Sequence, residues 1–239
     1  MRRLFQNPIM LILIAVMVYQ SITSGRYSSP MDWLADTALL IPAIVIAISF
    51  HEFAHAIVAY RCGDDTPLHQ GRVTINPAAH VDPVGLIALL FIGFGWGRPV
   101  MVNPNNFKKR RLYELLVDLA GVTMNLLLAF LFMGLLKLLY VVNGPFMMTQ
   151  MGEMLSQIIM QIVVINLVLL VFNLLPIPPL DGFGIVTQLF HLENTRFYYE
   201  VYNKGFLILM VLILFNITGK ILSPAVNFLY GGLLHIFFY

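Results

Sequence analysis

Residues 34–60 read LADTALLIPAIVIAISFHEFAHAIVAY, and this stretch decides how the chain is built. From Thr37 to Tyr60 its only carboxylate or full cation is Glu52, in a run long enough to cross a bilayer as a helix, which takes about 20 residues. A charged side chain at that depth is expensive, and by default it marks a functional site. Glu52 sits inside His51-Glu52-Phe53-Ala54-His55, an HExxH signature. On a helix, residues i and i+4 share a face, so two imidazoles can grip one metal ion while the glutamate stands beside it. With six His in the chain, the pattern would arise by chance in about three sequences per thousand of this composition, so histidines merely capping a core helix are the weaker reading.

The rest of the chain has the same character. It is 59% hydrophobic and 11% charged, with a mean hydropathy of +0.83, which describes an integral membrane protein. Apolar runs leave almost nothing for a separate soluble domain, so residues 1–239 read as a single membrane-embedded domain with its core motifs at 45–185. A net charge of +2 without a basic stripe argues against a nucleic-acid partner. The one dense cluster, Lys108-Lys109-Arg110-Arg111, borders an apolar run and reads as a topology signal or a lipid headgroup contact. Cys62 is the sole cysteine, so there is no intrachain disulfide and the metal must be held by nitrogen and oxygen. Residues 1–25 resemble a signal peptide, and retention or removal leaves the downstream topology unchanged.

Further apolar runs occupy 83–97, 112–142, 155–175 and 205–239, the last interrupted at Thr218-Gly219-Lys220 and Ser223-Pro224. The run 83–97 is too short to span, is rich in glycine, and has basic residues on both flanks, so it is expected to dip in and return. With that re-entrant segment, Arg2, Arg3, Arg61, Arg72, Arg98, Lys108, Lys109, Arg110, Arg111, Arg196 and Lys204 all face the cytoplasm, 11 of the 14 cations. If it crossed instead, only Arg2, Arg3, Arg61, Arg72 and Lys220 would remain inside, 5 of 14. The first arrangement fits the positive-inside rule. Beside the dip, 72–76 and 99–103 alternate between apolar and polar residues and predict two small strands, a β-hairpin-like element. The expected fold is therefore an all-α polytopic membrane protein with about five to six transmembrane helices, in the cell membrane, with its N-terminus and site facing the cytoplasm.

A catalytic zinc takes three protein ligands and keeps one position open, so His51 and His55 need a partner. Asp181 is the best candidate, following Asn173-Leu174-Leu175-Pro176-Ile177-Pro178-Pro179-Leu180, where the prolines preclude regular helix. In the favoured topology 34–60 and 155–175 both run inward, so Asp181 and the histidines reach the same side. The metal would lie roughly 9–15 Å below the surface at about 1.5 Å per helical residue. His80 and Asp82 could be extra ligands, but caps and turns use these residues too, and they read as structural. Gly121 and Asn125 share a helix face, where the glycine permits close packing and the amide either holds a helix contact or donates to a substrate oxygen. Glu114 and Asp118, on the same side, read as interfacial acids or a proton relay.

These residues resemble the site-2 protease group of intramembrane zinc metalloproteases. The likeness covers most of 45–185 and rests on His51–His55, on Asn76-Pro77-Ala78-Ala79-His80-Val81-Asp82-Pro83-Val84-Gly85, on Gly95-Trp96-Gly97-Arg98-Pro99-Val100 with Asn103-Pro104, and on Asn173–Gly182. It is closest to the small subgroup without PDZ or CBS modules. The resemblance implies one Zn2+ per chain on His51, His55 and Asp181, with Glu52 as catalytic base and a catalytic, substrate-facing role for Asn125. It also implies transmembrane protein substrates within the lipid bilayer, and it leaves homo-oligomer formation open. The group commonly has Ala-Gly-Pro before this asparagine, whereas here Val122 follows Ala120-Gly121 and removes a kink that would aim the amide. The rival reading is a metal-binding or metal-transporting membrane protein without protease activity, in which a base beside the first histidine has no particular use.

Overall fold

The computed structural model describes residues 30–92 and 95–239, so the signal-like segment 1–25 lies outside the described residues. Helix α1 (Pro30–Arg61) carries the HExxH signature, and three short elements follow: α2 (Thr66–His69), α3 (Pro77–His80) and α4 (Pro83–Ile92). A single 3-10 turn at Pro104–Asn106 leads into α5 (Arg110–Met147), α6 (Gln150–Asn173) and the short α7 (Asp181–Phe190). The chain closes with α8 (Arg196–Leu214) and α9 (Ile217–Phe238). Among the described residues, Leu39–Arg61 of α1 and the whole of α5, α6, α8 and α9 are long and apolar enough to cross a membrane. The all-α polytopic architecture expected from the sequence is the one observed.

The run at 205–239 divides earlier than its sequence suggests. Asn216 adopts a left-handed conformation (φ 54), which a short amide side chain tolerates and an apolar β-branched one does not, and this separates α8 from α9. Pro224 stays inside α9. At the other end of the bundle, the non-helical backbone of Asn143 (φ −145, ψ 61) ends the straight part of α5 where the apolar run 112–142 stops.

Helices α1, α5 and α6 pack against one another, with α9 against the α5–α6 pair. Val122, Ala129 and Met133 of α5 meet Ile159, Val163 and Leu167 of α6 in a dry core. On α1 a stripe at four-residue spacing reads Ala43, Ala47, His51, His55, Ala59, and every member is buried. Small side chains let helix backbones approach closely in a bilayer, so the alanines bring the two imidazoles against α5. The outer surface keeps Leu127, Phe130, Leu131 and Leu138 exposed, as lipid contact requires.

The two ends of the segment 83–97 lie together. Val81 and Gly97 form an antiparallel bridge, and the Arg98 N–H donates to the His80 carbonyl at 2.6 Å, so the segment ends where it began. Asp82 caps α4 by accepting from the Val84 N–H at 2.9 Å. The two strands expected at 72–76 and 99–103 do not form. Their N–H groups are used elsewhere: Thr74 donates to the Arg72 carbonyl and Asn76 to the Thr74 hydroxyl, while Val100 donates to Glu52 and Asn103 to Asp64. Local turns and side-chain acceptors have taken the donors a ladder would need.

Asp64 ties this loop to the end of α1. Fully buried, its carboxylate accepts from the Asn103 N–H (2.7 Å), the Asn106 amide (2.6 Å), and the N–H and hydroxyl of Thr66 (3.1 and 2.6 Å). Burial opposes its charge, but the hydrogen bonds from Thr66, Asn103 and Asn106 outweigh it and hold the carboxyl below its ordinary range. A depressed folded-state value contributes stability above the unfolded carboxyl's value near 4, and that contribution is lost as pH falls through the folded value. Asp64→Ala is expected to remove about 3 kcal/mol or more by orphaning several donors. Hydrogen exchange should show the 99–106 loop loosening first, and unchanged protection there would contradict the clamp.

Candidate metal centre

The end of α1, the first third of α5 and the start of α7 meet at one point. His51 Nε2 lies 3.0 Å from His55 Nε2, and Asp181 Oδ2 lies 3.4 and 3.5 Å from the two nitrogens. The rings stand edge to face, 81° apart. Among the described residues, this is the group of three His, Cys, Asp or Glu side chains whose donor atoms converge, all within 4.8 Å of one another. Asp181 opens α7 directly after the proline-interrupted segment that leaves α6, and α1 and α6 deliver their C-terminal ends to the same site.

The second nitrogens of both rings are already assigned. His51 Nδ1 donates to Asn125 Oδ1 at 2.7 Å and His55 Nδ1 donates to the Val117 carbonyl at 2.7 Å, since both partners are acceptors in this arrangement. When neutral, each ring therefore turns an unprotonated Nε2 toward the other and toward a carboxylate. Two lone pairs and an anionic oxygen in a buried space repel unless a cation sits among them. Asp181 Oδ2 is itself buried without a hydrogen-bond partner. A tetrahedral zinc with bonds of about 2.0–2.1 Å has ligand–ligand edges of about 3.3–3.4 Å, so the donors fit zinc in kind and in spacing.

Glu52 stands at the same cavity, about 750 Å³ in volume, and its Oε2 accepts from the Val100 N–H at 3.0 Å. The loop that failed to become a strand thus orients this carboxylate. Gly121 is what allows α5 so close: a Cβ there would run into His55 Nε2 and His51 Cε1, and would stand 2.7 Å from His51 Nδ1. Val122 leaves α5 continuous and packs in the α5–α6 core.

The other sequence candidates separate clearly. Asn125 is fully buried and does not face the cavity. Its oxygen serves His51, and its amide donates to Asn166 Oδ1 (2.9 Å) and the Ala47 carbonyl (3.4 Å). Its donors are committed to Asn166 and Ala47 and its oxygen to His51. His80 is buried with Nε2 on the Thr74 carbonyl (2.6 Å), and Asp82 caps α4, so neither joins the metal group. Glu114 is held by Arg110 at 2.9 Å and by the Gln188 amide, while Asp118 lines the cavity beside Gly184. Sequence reasoning missed Asn166, although an amide inside the apolar run 155–175 carries the same signal that drew attention to Asn125. The Val117 carbonyl and the Val100 N–H are backbone groups that no side-chain pattern announces.

The profile of the family described as "Peptidase family M50" matches residues 137–216. A Bacillus subtilis (strain 168) protein named "Putative zinc metalloprotease YwhC" is 41% identical over 188 residues, covering 79% of this chain and 85% of that protein. Two mycobacterial proteins, each named "Putative zinc metalloprotease Rip2", are also similar. The one from Mycolicibacterium smegmatis is 30% identical over 97% of this chain and 86% of its own length. The one from Mycobacterium tuberculosis H37Rv is 28% identical over 90% and 78%. No solved structure matches. Substituting Gly121→Ala is expected to lower zinc affinity at least tenfold while leaving the helical content intact, because the added methyl displaces both imidazoles. Zinc titration against a competing chelator checks it, and unchanged affinity would refute the proposed approach of α5.

Proposed function

The chain belongs to peptidase family M50, and on that premise we propose that Glu52 is the general base of a peptidase whose zinc is held by His51, His55 and Asp181. The protein is a zinc-dependent protease embedded in the membrane, with membrane proteins as substrates. The observation that carries the assignment of residues is the convergence of two imidazole Nε2 atoms on a buried carboxylate oxygen that lacks a hydrogen-bond partner.

When bound, zinc lowers the pKa of a water toward about 7 and polarises the scissile carbonyl. Glu52, fixed by the Val100 N–H at the same cavity, is placed to accept a proton from a water there and to return it to the leaving amine. Asn125 and the Val117 carbonyl hold the two imidazoles in the tautomer that leaves Nε2 free. Pro99, Val100, Tyr198 and Tyr202 line the same cavity and would contact the substrate chain. A helical peptide bond is shielded by its own hydrogen bonds, so the substrate must unwind before its carbonyl can reach the site.

Arg61 follows His55 by six residues, and Lys108–Arg111 lead into the end of α5 that supplies the Val117 carbonyl. Under the positive-inside rule this end of the bundle faces the cytoplasm, at the cell membrane. A transporter would have no particular need for a base beside the first metal-binding histidine, which is where Glu52 stands. Glu52→Gln is expected to keep about one zinc per chain and to lose cleavage of a single-span substrate by 100-fold or more. Asp181→Ala should lose zinc and cleavage together. Cleavage surviving in Glu52→Gln would remove the general-base assignment.

A further inference from the structure

The two zinc ligands on α1 are anchored in different ways. His55 donates to a backbone carbonyl, Val117, which can only accept. His51 donates to an asparagine side chain, whose two ends are nearly the same shape and opposite in hydrogen-bonding sense. Were the Asn125 amide turned over, an NH2 would meet the Nδ1–H of His51. The ring would then have to move its proton to Nε2, where it would block the metal.

Something must therefore fix which way Asn125 points, and α6 supplies it. Asn166, fully buried, accepts the Asn125 amide at Oδ1 (2.9 Å). Its own orientation is set by its Nδ2, which donates to the carbonyl of Ile162, one turn earlier, at 2.8 Å. The polarity runs in one direction: the Ile162 carbonyl fixes Asn166, Asn166 fixes Asn125, and Asn125 fixes the tautomer of His51. The Ala47 carbonyl, at 3.4 Å from Asn125 Nδ2, supports the same sense more weakly. Each polar atom is sealed from water, so none can find a substitute partner.

We propose that Asn166 is a positioning residue for the metal, which sets zinc affinity by fixing the orientation of the Asn125 amide and, through it, the free Nε2 of His51. This rests on the zinc reading of the site. Outer-shell partners of metal-bound histidines typically change affinity by about 10–100-fold, and Asn166 acts one step further out through a flippable amide.

The test is a cycle of zinc affinities on the full-length protein in detergent, by competition with a chelator, together with the absorption spectrum of the cobalt-substituted form. Asn166→Leu keeps the bulk and removes the acceptor, and Asn166→Ala runs in parallel so that one folded variant suffices. Asn125→Asp offers oxygen at both ends and no longer needs its orientation fixed. Ser156→Ala, also on α6, removes a buried hydrogen bond to the Gly152 carbonyl far from the centre. The expected result is a roughly tenfold or greater loss of affinity and an altered cobalt spectrum for Asn166→Leu in the native background. The same substitution should have little effect on top of Asn125→Asp, and Ser156→Ala should match wild type. Native affinity in Asn166→Leu, or an equal loss in both backgrounds, would overturn the proposal. Failure of the wild type to bind zinc would instead refute the reading of the site on which it rests.

Discussion

Two imidazole nitrogens and a carboxylate oxygen held within 3.5 Å of one another at the edge of a cavity repel one another unless a positive charge sits among them. Much of the molecule can be understood as the means of holding them there. The alanine stripe of α1 brings its backbone close to α5, and Gly121 lets that approach continue where the imidazoles sit. The prolines after α6 stop a helix that would otherwise carry Asp181 past the site. Asp64 binds the loop that orients Glu52. A metal centre at membrane depth therefore depends on close helix packing as much as on its ligands, and this explains why small residues surround the histidines where larger ones would bury more area.

The parts legible in the sequence are those where a residue type and a spacing together admit one chemistry. HExxH on an apolar helix singles out two candidate ligands and a candidate base, and the balance of cations gives a topology in which Asp181 reaches the same side. The out-and-back segment 83–97 followed from its length, its glycines and its basic flanks. Illegible were the features that depend on where backbone groups end up. Alternation at 72–76 and 99–103 suggested strands, but Asp64, Glu52 and local turns took the donors, and periodicity cannot register that competition. The run 205–239 shows its interruptions at Thr218-Gly219-Lys220 and Ser223-Pro224, whereas the helix break falls at Asn216, in the left-handed conformation. Asn125 was recognised as a residue needing a partner, and its oxygen proved to be spent on His51.

Similarity to the Bacillus subtilis and mycobacterial relatives extends over most of this chain and most of theirs. Within that framework the two ligand histidines are unequal. One rests on a backbone carbonyl, the other on a chain of two amides, and the second arrangement can be altered by side-chain substitution alone. Sequence changes along α6 can thereby tune the metal without touching a ligand.

X-ray absorption at the zinc edge of the purified protein tests the central claim most directly. The account predicts about one zinc per chain, four-coordinate, with two imidazoles and only nitrogen or oxygen neighbours at about 2.0–2.2 Å. A sulfur neighbour at about 2.3 Å would bring in Cys62 and contradict the ligand set, as would a metal with a single imidazole.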